Sequence, residues 1–378
     1  MIELKNVKKT FENTEVLKDV NLKIEKGELV VLIGPSGCGK TTTLKMLNKL
    51  IKPTSGKIYI NGEDISKKDS IKLRRNIGYV IQQTGLFPHM TVGDNIGLIP
   101  YLEGWEDEKI RNKIIELLDM VGMEPKKYID RYPNELSGGQ QQRIGVARAF
   151  ATNPEIILMD EPFSALDPIT RNQLQDELFN IQEKMKKTIV FVTHDMDEAL
   201  KLADKICIMK DGIVLQYDTP ENILKNPSHG FVEEFIGKNR IWNQPEYIKA
   251  EDIIIENPVK AVGNRTILQA SEIMAERHVD SILVVDRNNT LKGIATLKDI
   301  RKSRENDKKL MLKDVMNRDV VCVNKDKSIV DVLEVMNIKN VGYIPVVDEN
   351  KKLLGLITRS SLINVLSGQF LDVEGVGM

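Results

Sequence analysis

The chain is short of the residues that would tie it to an oxidising compartment, a membrane interior or a polyanion. Its three cysteines, Cys38, Cys207 and Cys322, are odd in number and far apart. That spacing makes neither a disulfide framework nor a metal site, and it fits a reducing cytosol. No apolar run approaches the ~20 residues of a spanning helix. The most apolar stretches, LVVLIG (29–34), IILM (156–159) and TIVFVT (188–193), have the length of buried strands. The opening MIELKNVKKTFE carries no apolar signal-peptide core. A net charge of −1 gives no overall basic field to attract nucleic acid. Hydrophobic content of 41% and charged content of 29% are ordinary for folded domains, and 378 residues suffice for two or three of them.

What is present falls into two parts. Residues 1–236 alternate short β-branched runs with amphipathic stretches such as EKIRNKIIELLDMV (108–121), an α/β pattern. Residues 237–250, GKNRIWNQPEYIKA, lose that periodicity and read as a linker. The remainder repeats itself. ILQASEIMAERHVDSILVVDRNNTLKGIAT (267–296) lies over IVDVLEVMNIKNVGYIPVVDENKKLLGLIT (329–358) at a constant offset of 62. Glu272/Glu334, Met274/Met336, Asp286/Asp348, Gly293/Gly355 and Thr296/Thr358 are identical pairs. Each unit reads as helix, strand, turn and strand. Two copies are too few for a solenoid and point to a pseudo-symmetric pair sharing one core, divided at 251–306 and 307–370.

The chemistry concentrates at strand ends. Gly34-x4-Gly39-Lys40-Thr41 follows a strand-like GELVVLI and precedes a helical run, the context a phosphate-gripping loop requires. Glycines let the backbone turn N–H groups onto phosphates, and the following helix adds its positive end. Gly34, Ser36, Gly37, Gly39, Lys40, Thr41 and Thr42 make up the candidate triphosphate-binding set, with Lys40 on the β- and γ-phosphates and Thr41 on Mg²⁺. IILMDEP (156–162) delivers Asp160 as a Mg²⁺ ligand and Glu161 as the group that orients or deprotonates the attacking water. VFVTHD (190–195) delivers His194, placed to reach the γ-phosphate and Glu161's water. LSGGQQQR (136–143) sets Ser137 and Gly139 at a second helix N-terminus suited to an anion. One nucleotide does not need two such sites in one subunit. A symmetric dimer, each chain offering 136–140 to its partner's ATP, resolves this.

With these motifs in this order, residues 1–236 resemble the ATP-binding subunit of an ABC transporter, a P-loop NTPase cassette with a helical subdomain. The resemblance implies that Gln82 in VIQQTGLFPH links the γ-phosphate and Mg²⁺ to a membrane subunit, with Gln83 the adjacent alternative. It implies that Asp167 in SALD lies at the dimer interface, and that Phe11 stands where an adenine-stacking tyrosine is common, keeping the ring and losing the hydroxyl. Cys38 reads as a passive small residue in the loop.

The paired unit resembles tandem CBS domains, an α/β module that binds adenosine-containing ligands between its repeats. The first copy, Gly293-Ile-Ala-Thr296-Leu-Lys-Asp299, matches the family's G-x-x-[ST]-x-x-[DN] pattern, with hydroxyl and carboxylate meeting phosphate and ribose. In the second copy Ser361 replaces the acid after Thr358, so the two clefts are not equivalent. Tyr343 is placed to stack on a purine and Arg359 to fork onto a phosphate; packed and solvated roles are the alternatives.

A cassette followed by tandem CBS domains resembles the subunits of quaternary-ammonium osmolyte importers for glycine betaine, carnitine or choline. The resemblance implies ATP and Mg²⁺, a homodimer, two integral-membrane permease subunits, an extracytoplasmic solute-binding protein or domain, no nucleic acid, and a peripheral position at the cytoplasmic face of the cell membrane. It favours cyclic di-AMP as effector, with AMP, ATP and ionic strength as rivals. A soluble ABC ATPase acting on nucleic acid or the ribosome would carry a basic stripe or a second cassette. A CBS-regulated metabolic enzyme would need a catalytic domain for which no residues remain.

Overall fold

The structure is a computed structural model that describes residues 1–82, 85–164, 166–228, 230–237, 245–304 and 310–362. It comprises two compact units, Met1–Lys238 and Asn239–Met378.

Among the described residues the first unit holds ten strands: β1 (Ile2–Phe11), β2 (Thr14–Ile24), β3 (Leu29–Ile33), β4 (Ser55–Ile60), β5 (Glu63–Asp64), β6 (Ile77–Val80), β7 (Ile156–Asp160), β8 (Thr188–Val192), β9 (Lys205–Lys210) and β10 (Ile213–Asp218). Six form a sheet ordered β10-β9-β3-β8-β7-β6, and four form a second sheet ordered β2-β1-β4-β5. β3, β7 and β8 are buried at every position, which is what continuous apolar runs in a parallel sheet require. Leu32 pairs with Val192, and Val192 with Asp160, so these three strands end level. Between β6 and β7 lie the helices Val92–Leu102, Asp107–Met120 and Gly138–Ala149, the first packed against both others. Thr91 caps the first with a reciprocal Thr91–Asp94 box, the signature of a hydroxyl three residues before an acid.

The second unit holds β11 (Lys260–Val262), β12 (Ser281–Val285), β13 (Leu291–Thr296), β14 (Val323–Asn324), β15 (Tyr343–Val347) and β16 (Leu353–Thr358), in sheets β11-β12-β13 and β14-β15-β16. The offset of 62 survives folding. Helices Ile267–Glu276 and Ile329–Ile338 are capped by the equivalent hydroxyls of Thr266 and Ser328.

The repeats exchange their leading segments. Ile248, Ala250 and Ile253 are buried with Val323, Ile329 and Ile344 of the second repeat. Leu312 is buried with Ala261, Ile267 and Ile282 of the first. Ile255 and Leu356 trade backbone hydrogen bonds of 2.9 and 3.2 Å, and the equivalent Asn317 and Ile294 trade bonds of 2.8 and 3.0 Å. The end of the sequence-predicted linker is therefore core of the second repeat. Its residues 238–244 lie outside the described residues, as do 363–370 of the second repeat. Across the pseudo-two-fold, Leu291 N–H donates to Lys351 O and Leu353 N–H to Asn289 O, over an apolar contact of Leu283, Val285, Ile294 and Leu353.

The close approach explains the identical glycines. A Cβ on Gly293 would stand 2.7 Å from Asn317 O, and one on Gly355 2.8 Å from Ile255 O. Gly293→Ala and Gly355→Ala are each predicted to cost about 1–3 kcal/mol, since backbone must move to admit the methyl. Urea denaturation of the full chain measures this; unchanged stability would mean the exchanged segments are not held at those carbonyls.

Candidate functional site

The phosphate loop is built by backbone that only small residues allow. Gly34 has φ 151° and Gly39 φ 105°. A Cβ on Gly34 would meet Met209 O at 2.0 Å, and one on Gly39 would meet Leu17 Cδ2 at 2.3 Å. The loop is thus pressed between β9 and β2, while Ser36 and Gly37 at its tip face solvent. Lys40 opens the helix Lys40–Leu47 and is 7% exposed. Its Nζ donates to Gly34 O at 2.6 Å and Pro35 O at 3.0 Å. Cys38 is buried beside it, and burial pushes its thiol up, away from the reactive thiolate. Thr42 is half-buried on the helix's first turn.

The level ends of β3, β8 and β7 bring the other groups to this loop. Thr41 Oγ1 donates to Asp160 Oδ1 at 2.9 Å. Asp160 is 5% exposed, and its carboxyl is pushed up chiefly by burial, with the Thr41 bond opposing. Tyr79 on β6 backs it; burial, then the Asp160 charge, pushes that phenol up to about 12. Glu161 is held by its N–H to Val192 O at 3.0 Å and adopts φ 46°, a left-handed conformation that costs an L-residue about 1–2 kcal/mol. Its carboxylate accepts from Gln82 Nε2 at 2.9 Å and lies 3.5 Å from His194 Nδ1. Lys40, Thr41, Asp160, Glu161, His194 and Gln82 thus form one connected site. Gln83 lies outside the described residues.

The remaining candidates stand apart from this cluster. Phe11, 42% exposed, ends β1 with Lys9 Nζ 4.6 Å from its ring centre. Ser137 caps Gly138–Ala149 through a reciprocal box with Gln140 (3.0 and 3.3 Å), and it is exposed. Among the described residues neither Ser137 nor Gly139 is hydrogen-bonded to the phosphate loop. Gly139 adjoins the Asp167 segment instead: a Cβ on it would lie 3.2 Å from Leu166 Cδ2. Asp167 caps Pro168–Met185, accepting from Ile169 N and Thr170 N at 3.1 Å each. Hydrogen bonds from Thr170 hold its carboxyl below the usual range.

Sequence patterns missed Asn95. It is fully buried and fixes the turn after Gln82: its Oδ1 accepts from Phe87 N at 2.8 Å, and its Nδ2 donates to the carbonyls of Phe87, Met90 and Thr91. An isolated polar residue inside an amphipathic helix carries no local signal of this role.

In the second unit, Thr296 Oγ1 donates to Asp299 Oδ2 at 2.6 Å, and Asp299 N–H returns to Thr296 Oγ1 at 3.2 Å. The pair is a capping box for Leu297–Arg304. Thr358 and Ser361 repeat it. The T-x-x-D spacing was itself the sequence signal. Tyr343 pairs with Thr358 across β15 and β16. Burial and then the carboxylates of Asp299 and Asp280 push its phenol up, and its ring packs against the apolar contact of Leu283, Val285, Ile294 and Leu353. Arg359 is exposed, with its N–H on Gly342 O at 3.1 Å.

Comparison with known proteins follows the same division. Residues 17–164 match the ABC transporter family, and residues 250–306 and 312–368 each match the CBS domain. The glycine betaine/carnitine/choline transport ATP-binding protein OpuCA of Bacillus subtilis is 50% identical over 97% of this chain and 96% of the relative. The carnitine transport ATP-binding protein OpuCA of Listeria monocytogenes is 49% identical over 97% and 92%. The chain belongs to the ABC transporter ATP-binding proteins. As a member of that family it is an ATPase coupled to transport. A solved dimeric bacterial ABC transporter cassette is 40% identical with a TM-score of 0.55, covering 58% of this chain and 99% of itself.

The residues present fit the nucleotide and metal that this family uses. A buried ammonium among backbone carbonyls, a loop with no room for a Cβ at Gly34 or Gly39, and a hydroxyl paired with a carboxylate suit a triphosphate and a hard cation. The strain at Glu161 gives a direct test. Glu161→Asn, tolerant of the left-handed region, is predicted to stabilise the chain by about 0.5–1 kcal/mol while abolishing turnover. Thermal melts read beside ATPase assays check it; a destabilised variant would mean that Glu161 is relaxed.

Proposed function

We propose that the chain is the ATP-hydrolysing subunit of an importer for a quaternary-ammonium compatible solute, namely glycine betaine, carnitine or choline, controlled through its CBS pair. The names of its full-length relatives support the solute class. The observation that carries the mechanism is the division of the groups suited to a nucleotide and its metal. Lys40, Thr41 and Asp160 stand together within the chain, whereas among the described residues the exposed Ser137 cap is bonded only locally. Two copies would therefore share two sites, each made from Lys40, Thr41, Asp160 and Gln82 of one chain and Ser137 and Gly139 of the other. The dimeric state of the solved relative supports this arrangement.

Within each site Lys40 and the loop N–H groups hold the triphosphate, Thr41 and Asp160 hold Mg²⁺, and Phe11 offers its face to adenine. Bound Mg²⁺ supplies neutralisation of developing phosphate charge. Glu161 accepts the proton of the attacking water, and His194, 3.5 Å from it, sets the direction of that water. Gln82 ties Glu161 to the turn pinned by Asn95. That turn leads to a groove of about 550 Å³ lined by Met90, Leu98, Tyr101, Ile110 and Ile114, where we place the permease contact. Two permease subunits and a solute-binding protein complete the importer and set the chain at the cytoplasmic face.

For the CBS pair we take cyclic di-AMP as effector, on the side chains that the two repeats do not share. Tyr343 presents an aromatic face, Thr296 and Asp299 present hydrogen-bonding groups, and Thr358 and Arg359 present groups suited to phosphate. Its control requires different affinity for the open and closed dimer.

Glu161→Gln should slow hydrolysis by about 10²–10⁴-fold and trap an ATP-bound dimer in sedimentation. Turnover near wild type would remove Glu161 from the base role. Deleting residues 245–378 should leave ATP turnover in place and abolish its response to cyclic di-AMP; a response that persists would place the effector elsewhere.

A further inference from the structure

Three polar residues behind the site have no part in holding nucleotide, yet they are buried and joined. Glu198 is 6% exposed, Thr193 2% and Gln175 4%. Thr193 Oγ1 donates to Glu198 Oε2 at 2.6 Å, a short, charge-assisted bond. Gln175 Nε2 donates to Glu198 Oε1 at 3.3 Å. Burial pushes the Glu198 carboxyl up, with Asp195 adding to the shift and Thr193, Arg171 and Gln175 opposing it. A carboxylate in such a place gains little for stability over an apolar side chain of the same size. What it does fix is geometry.

The Thr193 hydroxyl also accepts from Asp195 N–H at 3.0 Å, closing a turn with His194 at its middle. The His194 side chain is 65% exposed, so its direction is set by this turn rather than by packing. On the other side, Arg171 places Nε 3.9 Å from Glu198 Oε1 and Nη1 3.7 Å from Asp195 Oδ2, while Nη2 donates to Leu166 O at 3.1 Å. Leu166 precedes Asp167 and lies beneath Gly139. Among the described residues the buried Arg171 Nε has no hydrogen-bond partner. A shift of about 1 Å would bring it into hydrogen-bond range of Glu198. One unbroken chain of contacts thus runs from Gly139 and the Asp167 turn, through Leu166, Arg171, Glu198 and Thr193, to His194.

We propose that Thr193, Glu198 and Arg171 are positioning residues that hold the His194 turn and the Asp167 turn in common register, so that a partner chain seated at Gly139 and Asp167 is sensed at the Glu161–His194 end of the same chain. The proposal rests on the shared two-chain site above. Arg171 is its adjustable joint: seating the partner draws the guanidinium onto Glu198, and Glu198 holds the His194 turn firm. The coupling is physical because each link has a defined contact, and it is measurable because the links act as a unit.

The test uses full-length chains. Thr193→Val removes the hydroxyl at equal volume, and Thr193→Ser keeps it. Thr193→Val and Arg171→Lys are each expected to lower kcat by about 10–100-fold, the scale of a small misplacement, with little change in KM for ATP. The Hill coefficient for ATP is expected to fall from near two toward one, and the double variant to lose no more than the worse single variant. Thr193→Ser is expected to retain turnover and cooperativity. The proposal is overturned if Thr193→Val, melting with the parent, keeps kcat and Hill coefficient. It is equally overturned if Thr193→Ser loses as much as Thr193→Val, or if the two single losses multiply. Sedimentation in the Glu161→Gln background separates the two readings. A normal ATP dimer with unaltered turnover in Thr193→Val removes the network alone, whereas failure of Glu161→Gln itself to dimerise removes the shared site and with it the Gly139 end of the network.

Discussion

The register of three parallel strands governs everything else in the first unit. Leu32 pairs with Val192, and Val192 with Asp160, so β3, β8 and β7 stop at one edge. The ladder runs one step past that edge, through Thr193 N–H to Leu32 O and Glu161 N–H to Val192 O. Side chains that leave the sheet there have nowhere to go but the phosphate loop. A slip of one residue in β7 would turn Asp160 to the other face and take Thr41's partner with it. Continuous burial of all three strands is what makes such a slip costly, so the apolar runs and the chemistry at their ends are one constraint.

Much of this was legible in the chain because it depends on local pattern. Apolar runs of strand length ending in chemistry-bearing residues placed Asp160, Glu161 and His194, and the glycine spacing placed Lys40. The 62-residue offset located the repeats, and the caps Thr266 and Ser328, one residue ahead of the aligned stretches, keep it. What was not legible depends on contacts between distant segments. Nothing around Asn95 shows that its amide holds the turn after Gln82, and nothing around Thr193 shows that its hydroxyl meets Glu198. The exchange of leading segments was hidden for the same reason: Ile248 and Ala250 sit in a stretch without periodicity, and only the fold shows them filling the second repeat's core.

The same comparison sharpens the regulatory half. Gly293 and Gly355 belong to a pattern associated with nucleotide binding, yet each also serves packing, where an exchanged strand passes too close for a methyl. Thr296 and Asp299 likewise cap their own helix. Capping leaves a carboxylate oxygen with further lone-pair capacity, so structural and ligand-binding roles are compatible. The repeats differ where it counts for recognition: Tyr343 and Arg359 in the second correspond to Ser281 and Leu297 in the first.

The central claim is that each ATP site is completed by a second copy of the chain. Cross-linking between two separately prepared proteins tests it most directly, one carrying Ser36→Cys at the phosphate loop and the other Ser137→Cys, both in the Glu161→Gln background with the exposed Cys322 replaced by serine. A shared site predicts that a short bifunctional thiol reagent joins one chain of each kind when MgATP is present and not when it is withheld. Cross-linking that ignores ATP, or that never pairs the two kinds of chain, would contradict it.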